Sequence, residues 1–188
     1  MNRLEATRRL AKHLTDEIVV ANLGNAGWDL AKACDRPQNY YGRGSMGMIS
    51  SIGLGLALAQ RQRKVIILDG DGSLLMNLGS LATIASKAPN NLIHVVWDNE
   101  QYELTGGQMT HTGRGVNLAQ VARGCGIRKV VEPSDEDAFE KMILEALRDR
   151  ELWFILAKVA PEHTRAKLPV DSVLLKHIFM RGIGTLKW

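Results

Sequence analysis

Two short motifs in this 188-residue chain carry side chains suited to holding a hard cation: Gly70-Asp71-Gly72-Ser73 and, about two dozen residues later, Asp98-Asn99. Carboxylate and amide oxygens are ordinary Mg²⁺ ligands, and the oxygens of a bound diphosphate can fill the positions they leave. Glycines on either side of Asp71 let the backbone come close to phosphates, and amides opening the following helix turn their positive ends the same way. For motifs so far apart to act together, the chain between them must return to the same end of a sheet.

The intervening residues predict that return. Residues 65–68 are a β-branched run expected to form a buried parallel strand ending at the first motif. Residues 74–88 predict a helix, Pro89-Asn90-Asn91 stops it, and 92–97 predict the next strand, ending at Asp98-Asn99. One crossover therefore sets both motifs at adjacent strand ends, where Asp71 and Asn99 can converge on one ion.

Upstream, Leu4, Leu10, Ala11 and Leu14 recur at helical spacing within 2–14, and 18–21 read as a strand. A loop over 24–27 leads into a short helix over 28–34, the polar 35–43 stretch reads as a loop, and the small residues of 46–60 suit a helix packed closely on a sheet. Downstream, 100–115 is a long glycine-rich loop not expected to be rigid by itself. A helix over 117–123, a strand over 127–131, a helix capped by Ser134 and a last strand over 152–159 complete the series. This alternation predicts an α/β fold, a three-layer, doubly wound, mostly parallel sheet. One domain covers 1–160, and 161–188 form a tail expected to pack on the domain or on a partner.

With 45% hydrophobic and 23% charged residues, the composition suits one soluble domain, and two would be cramped. The longest apolar stretches fall short of the roughly 20 residues a membrane helix needs. The N-terminus lacks the features of a secretory signal, so a cytoplasmic location is expected. Cys34 and Cys125 have no metal-binding spacing and suggest no disulfide framework. The net charge of +4 is spread along the chain, which fits anionic small molecules and gives no reason to expect nucleic acid or membrane as a partner.

Four ordered blocks, GSMGMISSIGLGLALA, GDGSLLMNLGSLATIA, NLIHVVWDNEQYELTGGQ and MT, resemble the thiamine-diphosphate-dependent 2-oxo-acid decarboxylases, whose signature is GDG followed at a distance by NN. The resemblance spans 18–159 and implies the diphosphate-binding domain of that family, with thiamine diphosphate and Mg²⁺ as cofactors. It implies Asp71, Asn99 and the Gln101 backbone carbonyl as metal ligands. Gly24 and Asn25 match the loop that meets the diphosphate, while Gly70, Gly72, Ser73 and Tyr102 belong to the cofactor-binding blocks. Ser45, Met46 and Gly47 match the segment along the cofactor's middle. Met46 there props a bent cofactor, although a methionine is also ordinary core filler. Asp98 is a departure, because it stands where the family usually has its first asparagine.

The implied activity is non-oxidative decarboxylation of a small acidic 2-oxo acid such as sulfopyruvate or phosphonopyruvate. In this family a glutamate from a second, pyrimidine-binding domain starts the reaction. One three-layer domain fills this chain, so a partner subunit is expected to supply that glutamate, in a hetero-oligomer of alpha and beta type or a homodimer when the chain is alone. An acetolactate-synthase-like carboligase subunit and a non-catalytic subunit binding Mg²⁺ and diphosphate are the alternatives. A nicotinamide-binding fingerprint is missing, since Leu75 and Leu58 stand where the third glycine belongs.

No catalytic residue is assigned firmly. His111, in the loop after the metal motif, could reach substrate as a proton donor or be merely solvated, and Gln108 could touch the cofactor or only the backbone. His94 reads as a satisfied core histidine. Trp28, Tyr40, Tyr41, Trp97 and Trp153 read as core or interface anchors.

Overall fold

The computed structural model describes residues 1–186 except 167 and 170, so the end of the predicted tail, 187–188, lies outside the described residues. In chain order the elements are α1 (Arg3–Ala11), β1 (Ile18–Ala21), α2 (Asn25–Ala33), β2 (Asn39–Tyr41), α3 (Ile49–Ala59), β3 (Val65–Gly70), α4 (Asp71–Met76), α5 (Gly79–Lys87) and β4 (Leu92–Asp98). They continue with β5 (Gln101–Tyr102), β6 (Gln108–Met109), α6 (Leu118–Gly124), β7 (Lys129–Val131), α7 (Glu136–Arg148), β8 (Trp153–Lys158) and α8 (Ser172–Gly182). Six strands form one parallel sheet in the order β2-β1-β3-β4-β8-β7, while β5 and β6 pair separately as an antiparallel hairpin. This is the predicted three-layer α/β architecture. Among the described residues, no helix is long and apolar enough to cross a membrane.

Strand side chains alternate between two cores. Val65 and Ile67 of β3 join Val96, Phe154, Leu81 and Leu118 on one face, while Ile66 and Leu68 join Val95, Trp97, Leu10 and Phe139 on the other. Each fully buried isoleucine or leucine contributes roughly 2 kcal/mol through removal from water. Both faces of β1, β3 and β4 being covered explains why these strands read as continuous apolar runs. Gly53 of α3 shows why that helix is rich in small residues: a Cβ there would lie 2.3 Å from Ile67.

Local departures from the sequence expectations have tertiary causes. The predicted loop over 35–43 contains β2, a three-residue edge strand held by register pairing of Asn39, Tyr40 and Tyr41 with Val19, Val20 and Ala21. Helix α2 starts at Asn25, inside the predicted 24–27 loop, after Gly24 at φ 79°. The helix predicted over 74–88 begins earlier, at Asp71, and breaks at Asn77, whose Nδ2 donates to the Gly47 carbonyl at 3.1 Å. Asp135, not Ser134, caps α7 by accepting from the Ala138 amide, and the Ser134 hydroxyl donates to Asp135. In the tail, α8 lies against β2, with the Phe179 ring edge-on to Tyr40 at 5.4 Å.

Candidate active site

The neighbouring strands β3 and β4 end together, with Gly70 paired in register to Trp97. Asp71 and Asn99 therefore leave adjacent strand tips, and both line one cleft enclosing about 650 Å³, part of it continuous with solvent. Gly70, Gly72 and Ser73 form one wall with Asp71, and Gln101 and Tyr102 form another. Asn25 and Met46 reach it from α2 and from the turn before α3. Gly24, Ser45 and Gly47 flank these residues without lining the cleft. Gly47 instead donates its amide to Ser73 Oγ at 3.1 Å, fastening the Met46 turn to the first motif.

Gly72 has a steric reason to be glycine, because a Cβ there would sit 2.5 Å from the Tyr102 ring unless that ring moved. Tyr102 is thereby brought onto the glycine turn. Beyond β4, Glu100 adopts φ 63°, uncommon outside glycine, while its amide donates to Asp98 Oδ1 at 3.2 Å and the Gln101 amide donates to Asn99 Oδ1 at 3.1 Å. These two side-chain closures fix the turn that carries the Gln101 carbonyl.

Asp71 is 2% exposed. Its Oδ2 accepts from Thr110 Oγ1 at 2.6 Å and lies 3.1 Å from Thr112 Oγ1, which also meets Asp98 Oδ1 at 2.8 Å. Burial pushes the Asp71 carboxyl up to about 6; the Thr110 hydroxyl pulls it down, the charge of Asp98 pushes it up, and the Gly72 amide and Thr112 hydroxyl pull it down. Such a group is readily ionised by an arriving divalent cation. Among the described residues, no group of three or more His, Cys, Asp or Glu side chains could hold a metal ion. The cleft is instead lined by Asp71, Asn99 and Gln101, whose carboxylate, amide and carbonyl oxygens are of the hard kind that suits Mg²⁺.

Several residues in or beside the cleft escaped the sequence reading. Arg3 lies on its wall at 3% exposure, its Nε 2.6 Å from Asp29 and its Nη1 3.2 Å from Glu103. Glu103 also accepts from Asn25 Nδ2 at 2.5 Å and from the Glu162 amide at 2.7 Å. Asn22, Leu104 and Trp97 line the cleft as well, and Thr110 and Thr112 stand behind Asp71. The positions of Thr110 and Arg3 are set by contacts that no local pattern announces. His111 and Gln108 are not on the cleft wall; Gln108 donates to the Thr105 carbonyl at 3.1 Å. His94 is buried as expected but only half satisfied, with Nε2 3.4 Å from Asp69 Oδ2, its ring edge-on to Phe154 and no partner for Nδ1 among the described residues.

Residues 22–157 match the family model described as thiamine pyrophosphate enzyme, C-terminal TPP binding domain. This chain belongs to the thiamine pyrophosphate enzyme family. Within the family it is 43% identical over 183 residues to "Sulfopyruvate decarboxylase subunit beta" of Methanocaldococcus jannaschii, covering 96% of each chain. It is 44% identical over 170 residues to "Sulfopyruvate decarboxylase" of Methanosarcina acetivorans, an alignment taking in 88% of this chain but 43% of that one. Among solved structures, benzoylformate decarboxylase from Polynucleobacter necessarius superposes with a TM-score of 0.67 at 20% identity, over 86% of this chain and 33% of the other, which establishes the shared fold.

Proposed function

We propose that this chain is the diphosphate-binding subunit of a Mg²⁺-dependent, non-oxidative 2-oxo-acid decarboxylase that works with a pyrimidine-binding partner subunit. The observation that carries the reading is the meeting of Asp71, Asn99 and Gln101 around one cleft that Met46 and Asn25 also line. The relatives support the reaction and the division of labour. A chain of this length bears the name of a beta subunit, whereas the Methanosarcina acetivorans relative, with no subunit in its name, is more than half unmatched by this chain. The partner is assigned the pyrimidine-binding role, including the activating glutamate. Residues 1–160 are assigned as the cofactor domain and 161–188 as a tail whose α8 covers the β2 edge.

Asp71, Asn99 and the Gln101 carbonyl would hold Mg²⁺ and, through it, the diphosphate. The glycines at 70 and 72 leave room for the phosphates, Ser73 fastens the Gly47 turn, and Met46 supports the middle of the cofactor. When bound, thiamine diphosphate supplies the electron sink for loss of CO₂ from a 2-oxo acid. Tyr102 and Leu104 add apolar surface to the cleft wall. The substrate class assigned is a small acidic 2-oxo acid, sulfopyruvate or phosphonopyruvate.

The test is to purify the chain alone and together with its co-purifying subunit, then assay CO₂ release from sulfopyruvate, phosphonopyruvate and pyruvate with thiamine diphosphate and Mg²⁺. Release only from the pair, and fastest from an acidic substrate, is the expected result. Decarboxylation by the chain alone would remove the partner from the reading. Condensed products without free aldehyde would move it to carboligation.

A further inference from the structure

The carboxylate of Asp98, where the family's signature has asparagine, sits in surroundings built for its charge. The residue is 1% exposed, and a carboxylate so buried requires a cation and donors. Lys158 Nζ lies 2.9 Å from Oδ2, while Oδ1 accepts from the Thr112 hydroxyl at 2.8 Å and the Glu100 amide at 3.2 Å. The lysine is placed by the sheet itself, since Asp98 and Lys158 are register partners on the parallel strands β4 and β8. Its ammonium also meets Glu100 Oε1 at 2.6 Å.

An asparagine at 98 would offer one acceptor oxygen where two are in use. If that oxygen kept Thr112 and Glu100, the NH₂ group would face the ammonium, donor against donor. Replacing Lys158, whose own side chain is 55% exposed, would leave Oδ2 without its cation while Thr112 and Glu100 still donate to Oδ1. Each residue therefore fits the other and neither fits a neutral replacement of its companion.

The two contacts of Oδ1 lead to the metal-holding residues by separate routes. The Glu100 amide closes the turn that carries the Gln101 carbonyl. The Thr112 hydroxyl stands 3.1 Å from Asp71 Oδ2. We infer that Asp98 and Lys158 form a charge-paired positioning unit for the divalent-ion site, so that ion affinity depends on the two residues matching each other. This rests on the proposed assignment of Asp71, Asn99 and Gln101 to Mg²⁺.

A double-mutant cycle tests it in the full chain complexed with its co-purifying subunit, using Asp98→Asn, Lys158→Met, both together, and Lys158→Arg. The Mg²⁺ dissociation constant at saturating thiamine diphosphate is read from intrinsic fluorescence, with Trp97 on the cleft wall, and thermal unfolding is followed in parallel. Each single variant is expected to weaken Mg²⁺ binding about tenfold or more, the scale of an outer-shell loss. Lys158→Arg should stay within about threefold of the parent, and the double variant should bind more tightly than either single one. Losses that merely add, or single variants with unchanged Mg²⁺ affinity, would overturn the inference. If a single variant does not fold, a folded double variant that binds Mg²⁺ supports the pairing, and one that also fails to fold counts against it. A parent complex with no Mg²⁺-dependent cofactor binding would instead sink the metal assignment itself.

Discussion

The two walls of the cleft are held in different ways. The Gly70–Ser73 wall is a strand end running directly into α4, shaped by its neighbours in sequence and by the sheet and then tied to Gly47 and Thr110. The wall that follows Asn99 is a long excursion with one hairpin of two-residue strands and two single 3₁₀ turns, Glu103–Thr105 and Thr112–Arg114. Its order comes from distant partners: Glu103 with Arg3 and Asn25, Thr110 with Asp71, and Glu100 with Lys158. The fixed points of this glycine-rich loop lie elsewhere in the chain. The first wall thus starts from regular local structure and adds long-range ties, whereas the second depends on such ties almost throughout.

The sharpest way to break the contrast is Asp71→Ala, which should remove cofactor-dependent activity by more than the roughly 10–100-fold expected of an outer-shell partner. Unfolding by denaturant should show the apo chain still folded. Glu103→Ala attacks the second wall and leaves Arg3 and Asn25 without their shared acceptor. Arg3 keeps Asp29 and the Glu162 carbonyl, so the cost should fall below the about 3–5 kcal/mol of leaving a buried charge unpaired. Amide exchange should rise across 100–115 and near Arg3, while α4 stays protected; equal exposure of both walls would contradict the division.

Asp71 offers a pH test of the first wall. Its folded pKa of about 6 lies above the ordinary value of 3.8, so between these values the folded apo chain binds more protons than the unfolded chain. Stability should therefore be highest below pH 4 as far as this group is concerned and fall as pH rises through 6, by at most about 3 kcal/mol. Asp71→Asn should flatten the slope, and saturating Mg²⁺ with thiamine diphosphate should abolish it. A parent chain without excess acid-side slope over Asp71→Asn would contradict the burial argument. A smaller effect, about 1–3 kcal/mol, is expected for Gly72→Ala, since the new methyl must displace the Tyr102 ring where the two walls touch. Cofactor affinity measured by calorimetry should drop with it, and an unchanged affinity would mean that the contact is slack.

The sequence makes the first wall and the sheet legible because both are written in adjacent residues. The β-branched run at 65–68, the glycine pair around Asp71 and the turn residues at 89–91 each act within a few positions. β2 escapes notice because three residues of ordinary polarity become a strand only through pairing with β1. The break at Asn77 depends on a carbonyl 30 residues away at Gly47. Arg3 has the look of a surface arginine on an amphipathic helix, and only its carboxylate neighbours at 29 and 103 draw it inside. Asp98 was visible as a departure from a pattern, but Lys158, its complement, could be found only once β4 and β8 were known to be adjacent.

The outermost strands of the large sheet, β2 and β7, are three residues each, and α8 lies over the first. Such abbreviated borders present few unpaired amides and carbonyls on which another chain could continue the hydrogen-bond ladder. Strand addition at either border is thereby disfavoured, and the same brevity guards the concentrated protein against strand-on-strand polymerisation.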